Sequence, residues 1–360
     1  MAKVLQKTIA EHVGVSQTSV SLVLNDPDTP RVARQTKERI FEYLRRHSPE
    51  NWGSPSSRNL AFVAQSDALI SHLYDFYYGG VFRAAEQTAR EFGRQVFYKT
   101  YAGPEELRAI AADPGTAGLI HVNYIEAELL RELQRKLPVV AINSIHTLEC
   151  DVVKTDLRSG ARDEVHYLRR HGHERIAFVG RKNKLGEKPG QGEPLNERFS
   201  GYCEGLFAED QPVRWGYVGM IDEKAGTLYP EEPHAREALE ALLNLPQPPT
   251  AIVAFNDYIA LGLMKAAREM GLQLPDDLSL VGCDNIDACQ LFSPRLTTVQ
   301  QKREDMGAAA VEILVERIER GQWDNPREVF CGTFLVERES VADLTGAQRP
   351  VTEEGLPIAR

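Results

Sequence analysis

Thr8-Ile-Ala-Glu-His-Val-Gly14-Val-Ser16-Gln-Thr-Ser-Val-Ser-Leu-Val-Leu-Asn25 reads as two short helices joined by a tight turn. The first places Ile9, Ala10 and Val13 on one face, and Gly14 stands where the chain must turn sharply and a side chain would be costly. Ser16 is set to cap the second helix, which buries Val20, Val23 and Leu24 and leaves Gln17, Thr18, Ser21 and Leu22 on its other side. Such a helix fits a DNA major groove with its N-terminal residues against base edges: Gln can bond adenine bidentately, and Thr can bond a base or touch a thymine methyl. Taken alone, the hairpin would also fit a helical cap on an enzyme. A third amphipathic segment at 36–46, with Ile40, Tyr43 and Leu44 inward, moves the reading toward DNA, and so does charge. Residues 1–58 carry nine Lys plus Arg against six Asp plus Glu, in a chain of net charge −10. The acidic remainder repels a polyanion, so DNA contact is expected of this all-α helix-turn-helix head alone and should weaken with salt.

Composition sets the outer bounds. A head of residues 1–47 and a linker at 48–58, rich in Pro, Gly and Ser, leave a body at 59–345, enough for two packed subdomains, and a tail at 346–360. No run of 18 apolar residues occurs and the N-terminus lacks the apolar stretch of a secretory signal, so a soluble, cytoplasmic protein without membrane contact is expected. Five cysteines without a CxxC pair fit reduced, mostly buried thiols. His171-Gly-His173 lies at a helix-to-strand turn with no partnering motif, and neither metal nor other cofactor is expected. GxSxG, Walker and dinucleotide glycine fingerprints are missing, which argues against an enzyme; Gly79-Gly80 reads as a tight turn before a helix.

The body alternates apolar runs with helical patterns. Strands are expected at 59–65, 94–100, 117–122 and 138–142 with helices at 78–92, 104–112 and 126–136 between them. A second series has helices at 158–171, 197–208, 234–244 and 257–270 and strands at 175–180, 214–219, 250–255 and 279–283. This is βαβ punctuation, and two series imply an α/β body of two doubly wound, parallel-sheet subdomains. Open α/β sheets bind ligands beyond the carboxyl ends of their strands, which selects Ser66, Asp67, Asn123, Asn143, Asn256, Asp257, Asp284 and Asn285. Amides and carboxylates there suit a polyhydroxylated ligand, although capping of following helices is an equal reading for Asp257. Arg198, near a helix start, suits a bidentate contact to ligand hydroxyls or a carboxylate.

From residue 4 to about 345 the chain resembles the LacI/GalR (lactose-repressor) family. The resemblance is carried by Ala10-Glu-His-Val-Gly-Val-Ser16, Val20-Ser-Leu-Val-Leu-Asn25, Gly160-Ala-Arg162, Gly172-His-Glu-Arg-Ile-Ala-Phe-Val-Gly180 and Glu197-Arg-Phe-Ser-Gly-Tyr202. Further on it is carried by Pro249-Thr-Ala-Ile-Val-Ala-Phe-Asn-Asp-Tyr-Ile-Ala-Leu-Gly262, Leu278-Ser-Leu-Val-Gly-Cys-Asp284 and Pro294-Arg-Leu-Thr-Thr-Val-Gln300. It implies a homodimeric repressor that offers two heads to a pseudo-palindromic operator, with a body of periplasmic-binding-protein type and a carbohydrate-like effector in its cleft. Positions matching effector contacts are Asn143, Arg198, Asn256 and Asp284; positions matching base readers are Gln17, Thr18 and Leu22, with Ser16, Ser21 and Asn25 beside them. A solute-binding protein of sugar uptake would share the body, but it would need an export signal where this chain has a basic head.

The chain also departs from that family. Leu22 stands where Arg is common, which removes a guanine contact. Leu5 and Ala33 stand where a capping Ser or Thr is usual, so two helix starts are expected to be weaker by about 1 kcal/mol each. The linker is shorter and has no leucine between Leu44 and Leu60, which argues against a hinge helix and leaves Trp52 as either a wedge or a packing residue. The tail lacks a heptad pattern, which argues against a tetramer-forming coil.

Overall fold

A computed structural model of the chain describes residues 2–25, 29, 31–33, 35–37, 39–40, 43, 59–65, 78–122, 125–144, 149–182, 193–222, 232–320 and 325–346. The expectations placed on the linker, Trp52, Ser66, Asp67, Asn123 and the tail beyond Gly346 lie outside the described residues. Two compact units are present. Among the described residues, the first takes those up to 65 together with 78–154 and 303–331, and the second takes 155–302 and 332–346. The chain passes from one to the other at Lys154/Thr155, Lys302/Arg303 and Cys331/Gly332.

In the head, α1 (Ala2–Val13) and α2 (Gln17–Asn25) enclose an apolar cluster of Ile9, Ala10, Val13, Val20, Val23, Val32 and Ile40. Gly14 takes φ +70°, the left-handed region that favours glycine, and Val15 N–H closes back on the Ala10 carbonyl at 3.0 Å to end α1. Arg39 donates to the last carbonyl of α1, Val13, at 2.5 Å. The third segment has helical backbone at 35–37, 39–40 and 43. The amides of Thr36 and Lys37 both reach the Ala33 carbonyl, so Ala33 starts that segment with no side-chain acceptor, as expected. Leu5 is a correction: α1 begins at Ala2, so Leu5 lies inside the helix and is no cap.

Among the described residues, each unit is built on a six-stranded sheet. In the first, β1 (Asn59–Gln65), β2 (Gln95–Tyr101), β3 (Thr116–Val122), β4 (Val139–Ile142), β5 (Asp151–Thr155) and β11 (Glu328–Cys331) lie in the order β2-β1-β3-β4-β5-β11. The pairs from β2 through β5 are parallel. Side chains alternate across this sheet. Leu60, Phe62, Ala64, Ile120, Val140 and Ile142 pack against α3 (Gly79–Glu91) and α10 (Arg303–Arg320). Ala61, Val63, Leu119, Val139 and Ala141 pack against α4 (Pro104–Ala112) and α5 (Ala127–Gln134). Both faces are covered, which is why these strands read as continuous apolar runs. Gly79-Gly80 does not form the expected turn but opens α3, where Gly80 is buried beside the Arg303 stem of α10.

The second unit repeats the pattern with β6 (Ile176–Lys182), β7 (Val218–Asp222), β8 (Ala251–Ala254), β9 (Ser279–Cys283), β10 (Thr297–Gln301) and β12 (Thr333–Val336), ordered β7-β6-β8-β9-β10-β12. All pairs are parallel except β10–β12, which is antiparallel. Its helices are α6 (Leu157–Arg170), α7 (Glu193–Ala208), α8 (Glu232–Leu243) and α9 (Asp257–Glu269). Helices α6 and α7 touch backbone to backbone: a Cβ on Gly201 would lie 2.1 Å from the Arg158 carbonyl oxygen, and one on Gly205 2.7 Å from Val165 Cβ. The strand expected at 214–219 lies at 218–222 instead, because Trp215–Tyr217 form a 3-10 turn whose Tyr217 hydroxyl is tied to the Gln247 carbonyl at 2.6 Å. Strands β5, β10, β11 and β12 and helix α10 were not among the expected elements.

None of the five cysteines is in a disulfide; Cys203 is partly exposed and the rest are buried. His173 is a buried tie, with Nδ1 3.0 Å from Thr250 Oγ1 and Nε2 3.1 Å from the Ala342 carbonyl oxygen. No helix among the described residues is long and apolar enough to cross a membrane.

Candidate functional site

The head presents the start of α2. Ser16 Oγ accepts the Ser19 amide at 3.0 Å and pairs with the Ser19 hydroxyl at 2.8 Å, so Ser16 is the helix cap. Gln17 and Thr18 follow it on the exposed surface and Ser21 is half-buried. Leu22, placed on the outer side from its spacing, is half-buried and packs on the head's apolar cluster. Asn25 ends α2, and its side chain and that of Leu24 lie outside the described residues.

In the second unit the polar residues gather beyond the carboxyl ends of β8, β9 and β10. Asp284, directly after β9, has φ +118° and its amide is held by the Val299 carbonyl at 2.9 Å. Its Oδ1 accepts from two side chains, the Arg198 guanidinium of α7 at 3.2 Å and the Gln301 amide at the end of β10 at 2.5 Å. The Arg198 guanidinium lies over the Phe255 ring, 4.3 Å from its centroid. Asn285, at φ +50°, donates to Gln300 Oε1 at 2.5 Å and accepts from Arg338 at 2.6 Å. Arg338 is itself anchored on the Leu296 carbonyl at 2.7 Å. The result is a flat guanidinium–aromatic wall beside carboxylate and amide groups, fixed at the ends of neighbouring strands.

Asn256 and Asp257 have separate tasks. Asn256 takes extended backbone and its side chain accepts the Ile259 amide at 3.0 Å, so Asn256, not Asp257, caps α9. Asp257 is wholly buried; its oxygens accept the Ile286 amide at 2.9 Å and the Thr298 hydroxyl at 2.5 Å, locking the segment after β9 onto β10. Burial raises its pKa and these hydrogen bonds oppose the rise. Gly282 makes room for it, since a Cβ there would lie against the Asp257 carboxylate. A second buried acid, Glu164 on α6, has an Oε1 without a hydrogen-bond partner. Desolvation pushes its pKa well up, against the attraction of Arg198 and with the repulsion of Asp257, Asp284 and Asp163.

The structure thus brings Arg198, Asp284 and Asn285 together and adds Gln301, Arg338 and Phe255. Asn143 belongs to the other unit, at the end of β4 with φ +52°; its side-chain amide donates to the Tyr78 hydroxyl at 3.3 Å. Gln300 and Gln301 fall outside the strand-end selection, which stops at β9; they close β10, a strand that opens on Thr297-Thr298-Val299, at its carboxyl end. Glu164 lies three residues after buried Ala161 and one before buried Val165, so helical spacing alone puts it on the inward face.

Residues 165–341 match the family model of the periplasmic binding protein-like domain. The HTH-type transcriptional repressor CytR of Escherichia coli (strain K12) is 30% identical over 352 residues, 93% of this chain and 94% of that protein. The chain belongs to the LacI/GalR family of transcriptional regulators. The HTH-type transcriptional repressor PurR of Vibrio cholerae serotype O1 (strain M66-2) is 26% identical and covers 94% of this chain and 98% of its own length. Among solved structures, the complex of the transcriptional regulator CelR with cellobiose covers 93% of this chain and 99% of its own, with a TM-score of 0.65 and 23% identity. A LacI regulator of Bacillus cereus subsp. cytotoxis NVH 391-98 gives 0.64 and 24%, over 79% of this chain and 98% of that one. At these identities the structures share the fold. Because the CytR match runs through head and body alike, this LacI/GalR protein is a DNA-binding transcriptional regulator, and the solute-uptake alternative has no support. Its named relatives are regulators rather than enzymes.

Proposed function

We propose that this regulator is a cytoplasmic, homodimeric repressor whose operator affinity is set by a carbohydrate-like effector. Residues 1–47 act as the reading head, 48–58 as linker and 59–345 as effector-binding and dimerising body. Ser16, Gln17, Thr18, Ser21, Leu22 and Asn25 form the operator face, with Gln17 and Thr18 against base edges and Leu22 making at most an apolar contact. Arg198, Asn256 and Asp284 form the effector set with Asn143, Ser66, Asp67 and Asn123; Asp257 shapes the surroundings of Asp284 by fixing the strand ends.

One observation carries this reading: Asp284 Oδ1 is shared by Arg198 and Gln301 beside the Phe255 ring. A sugar hydroxyl both donates and accepts, so it can enter such a cluster by bonding the carboxylate and the guanidinium together, while a C–H face of the sugar lies against apolar surface. The Arg198 charge is already answered by Asp284, which favours a neutral polyol over a free anion. CelR with cellobiose and an Enterococcus faecium LacI-family regulator with bound ribose share this fold, which supports the same ligand class.

The test begins with selection of genomic DNA fragments by the purified protein at near-physiological salt. One enriched pseudo-palindrome is expected, and the genes beside it nominate the sugars to titrate. Without a recognisable hinge leucine the effector is expected to shift operator affinity at the weak end, by about 1 kcal/mol or roughly fivefold. Arg198→Ala should leave effector-free operator affinity unchanged and abolish that shift. Loss of operator binding in a folded Arg198→Ala protein overturns the division of labour.

A further inference from the structure

Among the described residues the chain crosses from one unit to the other three times, and two of the crossing segments are hydrogen-bonded neighbours inside the second unit. Strand β10 ends at Gln301, one residue before the Lys302/Arg303 crossing, and β12 begins at Thr333, one residue after the Cys331/Gly332 crossing. Gln301 and Thr333 face each other in the antiparallel ladder, followed by Gln300 and Phe334. The third crossing leads into α6, where Gly160 packs against the same pair: a Cβ there would lie 3.1 Å from Thr333 Oγ1 and 3.2 Å from Val299 Cγ1. On the side of the second unit, the chain at all three crossings therefore meets at the paired ends of β10 and β12, where Gln301 faces Thr333.

That rung is tied by its side chains to the Arg198–Asp284 cluster. Gln301 is 1% exposed, and its amide reaches Asp284 Oδ1 at 2.5 Å and Cys283 Sγ at 3.9 Å. The adjacent pair repeats the link through Asn285 and Gln300, and Arg338, just past β12, holds Asn285 from the other side. A buried amide donor that loses its acceptor costs more than the bond was worth, so Gln301 must follow Asp284 when that carboxylate changes partners.

We propose that Gln301 is a positioning residue that passes the state of Asp284 to the paired crossing strands β10 and β12. A ligand hydroxyl or a displaced guanidinium that turns Asp284 shifts the Gln301 amide, and the shift enters the Gln301–Thr333 rung, where the crossing segments meet. Its regulatory meaning rests on the assignment of Asp284 to the effector site. The link itself is testable with no effector present, so its failure is distinguishable from failure of that assignment.

The experiment is amide hydrogen exchange by mass spectrometry on the full chain. Asp284→Asn should speed exchange in residues 331–337, the segment of β12 that pairs with β10, by about tenfold, as loss of one buried charge-assisted hydrogen bond would. Gln301→Leu should do the same, and the two together should add nothing further. If Gln301→Leu does not fold, Gln301→Met replaces it. The decisive variant exchanges partners: Asp284→Asn combined with Gln301→Glu reverses donor and acceptor and keeps one carboxylate for Arg198. It should return residues 331–337 to within about twofold of the parent rate, which a residue needed only for its volume would not do. An Asp284→Asn effect confined to residues 282–289, additive single effects, or no recovery in the exchanged pair overturns the proposal.

Discussion

Two buried Arg–Asp pairs, one in each unit, are equally hidden from water and yet differ in kind. Arg317 is 9% and Asp151 5% exposed, against 8% for Arg198 and 9% for Asp284, so burial does not separate them. Position and bonding do. Asp151 opens β5 at its amino end and receives the Arg317 guanidinium through two nitrogens, at 2.6 and 2.7 Å, together with the Arg327 amide at 2.8 Å. Arg317 also donates to the Asn325 carbonyl at 3.1 Å. Asp284 follows β9 at its carboxyl end and receives Arg198 through one nitrogen at 3.2 Å. The first arrangement is a bidentate staple joining α10 to the sheet. The second is held by single bonds at the end where open α/β sheets take ligands, and it can exchange partners. Charge chemistry alone would have flagged both; strand direction and the number of bonds pick out the site.

The contrast can be broken most directly by unfolding. Asp151→Ala leaves a buried guanidinium without its carboxylate and should cost about 3–5 kcal/mol in urea unfolding. Asp284→Asn leaves a neutral oxygen for Arg198 but loses the charge-assisted bond from Gln301, and should cost about 1–2 kcal/mol, with its larger effect on the effector response. The reverse order of costs would mean that the second pair is the staple.

A smaller effect tests how alike the two units are. Gly201 on α7 and Gly307 on α10 occupy corresponding places, since a Cβ at either would stand 2.1 Å from a carbonyl oxygen, that of Arg158 or of Val81. Neither acceptor is the end of a flexible side chain, so the helices must move apart. Gly201→Ala and Gly307→Ala should each cost about 1–3 kcal/mol in the same measurement. If only one does, the units do not share this packing solution.

The positions of the central strands were legible because strands covered on both faces are written as unbroken apolar runs, such as 59–65 and 117–122. Legibility stopped where partners are distant in sequence. Strand β10 follows a loop in which Leu291 and Arg295 obscure its start, and β12 is four residues whose pairing with β10 no local pattern announces. Helix α10 carries Gly307, Ala308, Ala309 and Ala310, a small-residue run whose meaning depends on the contact with α3. In the site, Arg198 and Asp284 could be selected from position, whereas the split of tasks between Asn256 and Asp257 depends on which neighbour supplies each hydrogen bond, and Thr298 and Ile286 are 41 and 29 residues away from Asp257.

The smallest effect concerns Glu164, the buried acid that interacts with the Arg198–Asp284 pair. Burial holds Glu164 well above the usual carboxylate range, so from the ordinary glutamate value upward the folded chain keeps a proton that the unfolded chain has released. Stability from this group is therefore complete at acid pH and is lost as pH rises toward the folded value, with a slope of at most about 1.4 kcal/mol per pH unit. Asp257, raised by the same cause, adds a slope of the same sign. The carboxylates held low by surface arginines, Glu132, Glu204, Glu316 and Glu339, act in the opposite direction and only at more acid pH. Between pH 5.5 and 8 the parent should thus lose stability with rising pH. Glu164→Gln, neutral throughout, should lose less, so that the two unfolding curves separate in favour of the variant toward pH 8. Parallel profiles for Glu164→Gln and parent would show that Glu164 is ionised in the folded protein, and the charge around Arg198 would then have to be counted with one more negative group than this structure assigns to it.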